Sequence, residues 1–345
     1  MEDQETYSKN LDPTAEERKK DHIDLAFKSI VSAEDLDHRF YYEPMLSGHP
    51  KTKSVEQAFL DKSFQVPIWV SSMTGGTAYA SKINENLARA CGEFGMGMGL
   101  GSCRQLLHSE DHFEDFDVRK FMGDQPLYAN LGIAQIEELL NENNFNKAEE
   151  LVNKLQADGL IIHVNPLQEW LQPEGDVIEH PPIETIQKVL DQSSMKIIVK
   201  EVGQGFGKGS LAALMKLPIQ AIDFGASGGT NFALLELFRS DDAHRETFGQ
   251  IANLGHSAVQ MVGFVNELLV ELKDQVLCDN FIISGGVKNF LDGYYHVKSI
   301  NSNAIYGQAS PFLKYALKDY SSLQEYVRGQ IEGYKLANAL LLVKS

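Results

Sequence analysis

The stretch GLIIHVNPLQEW, Gly159 to Trp170, decides how the rest of the chain is read. Its first half is apolar throughout rather than alternating, as expected of a parallel strand covered on both faces. The strand has to stop at Pro166, which has no N–H to continue a ladder and turns the chain. A short apolar run that ends in polar or glycine residues and gives way to a longer amphipathic stretch is one unit of an alternating strand and helix fold.

The same unit recurs along the chain. The apolar runs are Pro67 to Ser72, Gly95 to Gly101, Pro126 to Gly132, Gly159 to Val164, Lys196 to Gly203, Ile219 to Gly225, Phe281 to Gly286 and Ala304 to Ala309. Helical patterns such as Ala134 to Lys154 and Pro182 to Asp191 lie between them. Eight parallel strands with intervening helices predict an α/β chain closed into a (β/α)8 TIM barrel rather than an open doubly wound sheet. The Rossmann-type alternative also lacks its fingerprint, because Gly203-Gln204-Gly205-Phe206-Gly207 is spaced GxGxG and not GxGxxG. Residues 1–345 are expected as one barrel domain, with an N-terminal extension over 1–60 and a helical insertion over 231–278, near the barrel mouth.

With 43% hydrophobic and 23% charged residues, the chain can bury a large core. A formal net charge of -17 argues against a nucleic-acid partner, which needs a dominant basic face. A small phosphorylated ligand needs only a few basic groups in a cleft and remains allowed. Cys91, Cys103 and Cys278 are odd in number and widely spaced, so they are expected as reduced thiols. The polar start MEDQETYSKN is unlike a secretory signal, and no apolar run approaches the ~20 residues of a membrane span. A soluble cytoplasmic protein with no membrane partner is the expectation.

In a barrel of this kind the active site is assembled where the strands end. His163 and Asn165 share a face of the fourth strand, and the turn at Pro166 brings Gln168 and Glu169 back over the mouth. Glu169 is the carboxylate that a hard cation such as Mg²⁺ would use, together with phosphate oxygens and water. The first strand leads into Ser71-Ser72-Met73-Thr74-Gly75-Gly76-Thr77 and the second into Gly101-Ser102-Cys103-Arg104. Their glycines admit a flat or phosphorylated ligand, and the arginine can hold phosphate bidentately. The last three strands give Asp223-Phe224-Gly225-Ala226-Ser227-Gly228-Gly229-Thr230, Ser284-Gly285-Gly286-Val287-Lys288 and Ala309-Ser310-Pro311, where many barrels bind a cofactor phosphate on backbone N–H groups. Lys200, ending the fifth strand, either pairs with Glu201 at the rim or stabilises a developing anion. Near the N-terminus Thr14 and Glu17 have capping-box spacing, so a helix begins there with Arg18 and His22 on one face. Spacing alone reads that face as solvated surface.

Taken in order, these segments resemble the type 2 isopentenyl diphosphate isomerases, which are FMN-dependent barrels. The matching runs are RKKDHI at 18–23, SSMTGG at 71–76, GSCR at 101–104, ANLG at 129–132, HVNPLQEWLQPEGD at 163–176, VKEVG at 199–203, GGT at 228–230 and SGGVKN at 284–289. They span nearly the whole chain, and the run from His163 to Asp176 is the most specific.

The resemblance implies interconversion of isopentenyl and dimethylallyl diphosphate by proton addition and removal. Reduced FMN would act as acid and base, Mg²⁺ would bind the diphosphate, and NADPH would reduce the flavin. Flavin contacts are implied for Ser72, Met73, Thr74, Ser102, Asn130, Lys200, Thr230, Gly285, Gly286, Val287, Ala309 and Ser310. Substrate contacts are implied for Arg18, Lys19, His22, Ser102, Arg104, His163, Asn165 and Gln168, catalytic roles for His163, Gln168 and Lys200, and Mg²⁺ binding for Glu169. The N-terminal basic turn would then fold over the substrate, against the surface reading, and the protein would be a homo-oligomer, tetrameric or octameric. Two positions depart from the family pattern. Gly225 stands where a serine is usual near the flavin phosphate, and Lys288 replaces the usual arginine, so a hydroxyl and a planar donor fork are lost.

Two other readings share the fold. A flavin-dependent 2-hydroxy acid oxidase or dehydrogenase needs a histidine near the end of the sixth strand, and Gly225 to Thr230 contains none. A non-enzymatic sensor of flavin or a phosphorylated metabolite needs no such group.

Overall fold

A computed structural model describes residues 14–50, 54–75 and 79–344. Residues 1–13 of the expected extension, and Gly76 and Thr77 of the first glycine turn, lie outside the described residues. Eight parallel strands close into a barrel: β1 (Ile68–Ser71), β2 (Gly97–Gly99), β3 (Leu127–Gly132), β4 (Gly159–Val164), β5 (Ile197–Glu201), β6 (Ala221–Asp223), β7 (Asn280–Ile283) and β8 (Asn303–Gln308). Neighbours in sequence are neighbours in the barrel, and the ring closes where Tyr306 of β8 pairs with Ile68 of β1. Each apolar run of the sequence holds one strand. In β4 every residue but His163 is buried, which is why the sequence shows no alternation there.

The barrel interior is filled by Trp69, Tyr128, Ile161, Ile198, Ala221, Ile282 and Ile305. Phe59, Leu60 and Phe64 join this cluster from a hairpin of Gln57–Phe59 and Lys62–Phe64. Burying each of the large side chains stabilises the fold by about 1.5–3 kcal/mol. Gly97 makes room for the indole, since a Cβ there would lie 2.5 Å from the Trp69 ring. The hairpin closes the N-terminal end of the barrel: Gln57 donates to Asn303 Oδ1 at 2.7 Å, and Asp61 pairs with Lys196 at 2.8 Å, just before β5. The opposite end remains open for a site.

Two details differ from expectation. Ala134 to Lys154 is not one helix but two, Ile133–Asn141 and Asn146–Lys154. They break at Asn143, whose φ of 56° is a left-handed conformation that asparagine tolerates better than most residues. Pro166 does more than turn the chain, because it starts the short helix Pro166–Leu171, where a missing N–H leaves no bond unmade.

Between β6 and β7 run helices Phe232–Arg239, Asp242–Phe248 and Ala258–Leu272. Leu171 packs with Ala233, Leu237 and Ala252, flanked by Leu167 and Phe248. The chain after β6 therefore braces the chain after β4.

Among the described residues, 14–41 with Lys344 form a small unit of their own. In it the helix Ala15–Leu25 begins where the spacing predicts, with the Arg18 N–H donating to the Thr14 carbonyl at 2.9 Å. Arg18, Lys19 and His22 are exposed on this helix. Cys91, Cys103 and Cys278 are free and buried, and burial pushes the Cys103 and Cys278 thiols up to about 12, which makes them inert at neutral pH. No described helix is long and apolar enough to cross a membrane.

Candidate active site

A cavity of about 410 Å³ opens at the C-terminal ends of the strands, within the usual range for small-molecule sites of about 300–1,000 Å³. Ser72, Met73, Ser102, Arg104, Asn130, His163, Asn165, Gln168, Glu169, Lys200, Thr230, Gly285, Gly286, Val287, Ala309 and Ser310 all line it. So do Gly225 and Lys288. Thr74 does not. Its hydroxyl turns to Asn84 Oδ1 at 3.3 Å, and the buried Asn84 also accepts from Ser72 Oγ at 2.6 Å, so one asparagine organises the turn after β1. Arg18, Lys19 and His22 belong to the N-terminal unit and are placed only within it.

His163 Nδ1 lies 2.8 Å from Asn130 Oδ1. The Asn130 amide nitrogen donates to the Leu100 carbonyl at 2.9 Å, which leaves its oxygen facing the ring. Nδ1 therefore carries the proton, and Nε2 keeps its lone pair as an acceptor. Burial, reinforced by the Lys200 charge, lowers the imidazole pKa to about 4 and keeps it neutral at pH 7.

After β4 the polar groups hold one another. Asn165 Nδ2 donates to Gln168 Oε1 at 3.1 Å and to Glu169 Oε1 at 2.8 Å, while Glu169 Oε2 accepts the Asp176 N–H at 2.8 Å. Each Glu169 oxygen thus keeps a lone pair free. Asn165 Oδ1 is buried without a hydrogen-bond partner. Gln168 Nε2 donates to Glu236 Oε1 at 3.2 Å, and the buried Glu236 is paired with Arg239 at 2.8 Å. Arg104 forks onto Asp176 at 2.6 and 3.1 Å, and Gln135 donates to the same carboxylate at 2.7 Å. Among the described residues no group of three or more His, Cys, Asp or Glu side chains is placed to hold a metal unaided. A cation at Glu169 would need oxygens from its ligand and from water.

Lys200 does not pair with Glu201. Successive strand residues point to opposite faces, so Lys200 enters the cavity and bonds Asp223 Oδ2 at 2.9 Å and Ser71 Oγ at 3.2 Å. Glu201 is buried and accepts the N–H groups of Gly203, Gln204 and Gly205 at 2.8, 2.7 and 2.6 Å, which fixes the loop after β5. Burial raises its pKa against the opposing effect of those bonds.

On the far wall Gly228 and Gly229 approach Gly285 and Gly286 so closely that a Cβ on either of the first two would lie 3.2 Å from Gly286 backbone. A side chain there would crowd the facing backbone, and main chain forms the surface. Asn84, Gln135 and Glu236 belong to no motif, and Asp223, which opens the segment Asp223 to Thr230 after the sixth run, was given no role of its own. For Asp223 the one available signal was a carboxylate inside the apolar run Ala221-Ile222-Asp223-Phe224.

The chain is similar to known proteins in two ways, by fold and by sequence. No family model matches the chain. Among solved structures, a flavocytochrome b2 double mutant with sulfite bound superposes with a TM-score of 0.61 at 12% identity, over 88% of this chain and 72% of that one. A mandelate oxidase mutant with a monooxide FMN adduct gives 0.54 at 10% identity, over 87% and 83% of the two chains. These likenesses show the fold alone. Sequence relatives reach further. The isopentenyl-diphosphate delta-isomerase of Rickettsia felis is 34% identical over 328 residues, 93% of this chain and 91% of that protein. The isopentenyl-diphosphate delta-isomerase of Rickettsia prowazekii is 32% identical over 326 residues, 93% and 92% of the two. Identity of this order along nearly the whole length, on a barrel whose mouth gathers His163, Gln168, Glu169 and Lys200, places the chain in the isopentenyl-diphosphate delta-isomerase family of enzymes.

Proposed function

We propose that the chain is the FMN-dependent, type 2 form of this isomerase, interconverting isopentenyl and dimethylallyl diphosphate with Mg²⁺ bound to the diphosphate. The supporting observation is that one cavity is lined by the polar set after β4, by Lys200 and by the glycine wall. The residues fit both groups. The close approach of Gly228 and Gly229 to Gly285 and Gly286 leaves a main-chain cradle suited to a cofactor phosphate. The mandelate oxidase of the same fold carries an FMN adduct, which supports a flavin as that cofactor. Each oxygen of Glu169, which lines the cavity, keeps a lone pair for a hard cation that would take its remaining oxygens from phosphate and water, the chemistry that Mg²⁺ prefers.

Bound and reduced, the flavin supplies acid and base chemistry at weakly basic carbons, and a reductant such as NADPH is needed once rather than at every turnover. The remaining work falls to the chain. Ser72, Met73, Ser102, Asn130, Thr230, Val287, Ala309 and Ser310 hold the cofactor with the glycines, and Thr74 acts by shaping the turn with Asn84. Ser71 and Asp223 occupy two donors of Lys200 and leave its third N–H for the cavity, where it favours an anionic ring. Glu236 anchors Gln168 at the reacting carbons, and neutral His163 offers Nε2 as an acceptor. Arg104, aimed by Asp176, takes the diphosphate, and Glu169 holds its cation, which converts distant binding into orientation at the reacting carbons. Arg18, Lys19 and His22 close over the substrate in this reading. The working form is a cytoplasmic homo-oligomer.

The oxidase reading gains nothing from the site. Among the described residues lining the cavity the one imidazole is His163, on β4 and committed to Asn130, and none follows β6. The deciding experiment is anaerobic turnover of isopentenyl diphosphate with reduced FMN and a counted amount of NADPH. The isomerase reading expects product far in excess of reductant consumed. Stoichiometric consumption points to an oxidoreductase, and a yellow protein without turnover points to a sensor.

A further inference from the structure

We infer that Asp223 is a positioning residue for the isomerisation, fixing the Lys200 ammonium jointly with Ser71 so that one defined N–H is presented to the cavity. What that N–H meets rests on the flavin reading above; the fixing of Lys200 does not. The strand register sets Lys200 of β5 directly opposite Asp223 of β6, and Lys200 Nζ lies 2.9 Å from Asp223 Oδ2. Asp223 is fully buried and does not line the cavity, so it can act there only through another group. Its other oxygen accepts from Ser284 Oγ, just beyond β7, and that hydroxyl accepts the Gly225 N–H at 3.0 Å. Ser71 reaches Lys200 from β1, across the barrel, at 3.2 Å.

The consequence is geometric. A lysine ammonium is a point charge on a flexible four-carbon stem and by itself directs its donors nowhere in particular. With one donor on Asp223 and a second on Ser71, the tetrahedral nitrogen has a single remaining direction. A carboxylate buried beyond water is costly unless paired, so Asp223 in turn depends on Lys200 and Ser284. The arrangement is one network in which removing either charge disables both.

The test is a double-mutant cycle on the FMN-loaded enzyme, using Asp223→Asn, Lys200→Ala and the double variant. Asp223→Asn is expected to lower kcat about 10²-fold while KM stays within about twofold. Its effect on kcat is expected to vanish when Lys200 is already absent. Additive effects on kcat overturn the inference. Ser284→Ala, which loosens Asp223 while keeping its charge, is expected to move the same readouts in the same direction by less; if Asp223→Asn does not fold, an unmoved Ser284→Ala overturns the inference. In the flavin-free protein the ¹⁵N signal of the Lys200 ammonium is expected in the parent and lost in Asp223→Asn, and its persistence in the variant also overturns the inference. If the parent chain takes up no flavin, the functional reading fails, and this last measurement still decides the pair.

Discussion

Asn165 and Glu169 face each other one helical turn apart, with the Asn165 amide nitrogen 2.8 Å from Glu169 Oε1. Because the Asp176 N–H secures the other carboxylate oxygen at 2.8 Å, the group is held in one orientation before any cation arrives. A neutral amide at this position cannot balance a divalent charge, and its NH₂ would face the donors that now point at Glu169. Glu169→Gln is expected to lower Mg²⁺-supported activity on the order of 10²-fold while bound flavin is unchanged. Mg²⁺ titration of the initial rate checks this, and parental activity at ordinary Mg²⁺ contradicts the assignment.

Gln168 hangs between Asn165 and Glu236. Cutting it back to Ala should reduce kcat about 10²-fold or more, with flavin content retained. Steady-state kinetics and the flavin-to-protein absorbance ratio separate the two; a parallel loss of flavin would recast Gln168 as a cofactor ligand.

For the N-terminal helix, Arg18→Ala is expected to raise the apparent KM for the diphosphate about tenfold or more, the worth of one charge-assisted bond, with kcat nearly constant. An unchanged KM returns this helix to solvated surface.

His163 titrates at about 4 in the folded protein against 6.5 for the free side chain, because burial first and Lys200 second disfavour its cation. The unfolded chain therefore binds more protons between those values, so this group's stabilising contribution is complete above about 6.5 and is lost as pH falls towards 4. Chemical denaturation across that window should show the slope for the parent and a shallower one for His163→Asn. Identical slopes would show that His163 is not the group responsible.

Gly225 has a φ of 51°, and a Cβ there would lie 1.8 Å from the Glu201 carbonyl oxygen. Restoring the family's usual serine by Gly225→Ser should not recover a phosphate ligand; it should destabilise the fold by roughly 1–3 kcal/mol through backbone strain and overlap. A thermal melt decides, and a variant as stable as the parent with tighter FMN binding would show that the loop accommodates the side chain.

The departure at Gly225 illustrates how far a motif can be read. As letters it is a lost hydroxyl. In three dimensions it is a backbone conformation that passes under the Glu201 carbonyl, and that constraint comes from a neighbouring strand. The same limit applies to Lys200. The sequence offered rim pairing with Glu201 or a place in the cavity. Strand alternation sends adjacent residues to opposite faces, and the partner is Asp223, on the next strand.

By itself the sequence determined the eight strands, their order and the mouth residues around His163, because each depends on a local property: an unbroken apolar run, a proline that ends a ladder, glycines where chain turns. The break at Asn143 was harder, since apolar spacing survives an interruption that a left-handed asparagine creates. Only the tertiary structure decided which polar groups hold the site residues in place. Asn84, Gln135, Asp176, Asp223 and Glu236 act through contacts with residues distant in the chain, and such pairings follow from barrel closure and strand register, which no local pattern encodes.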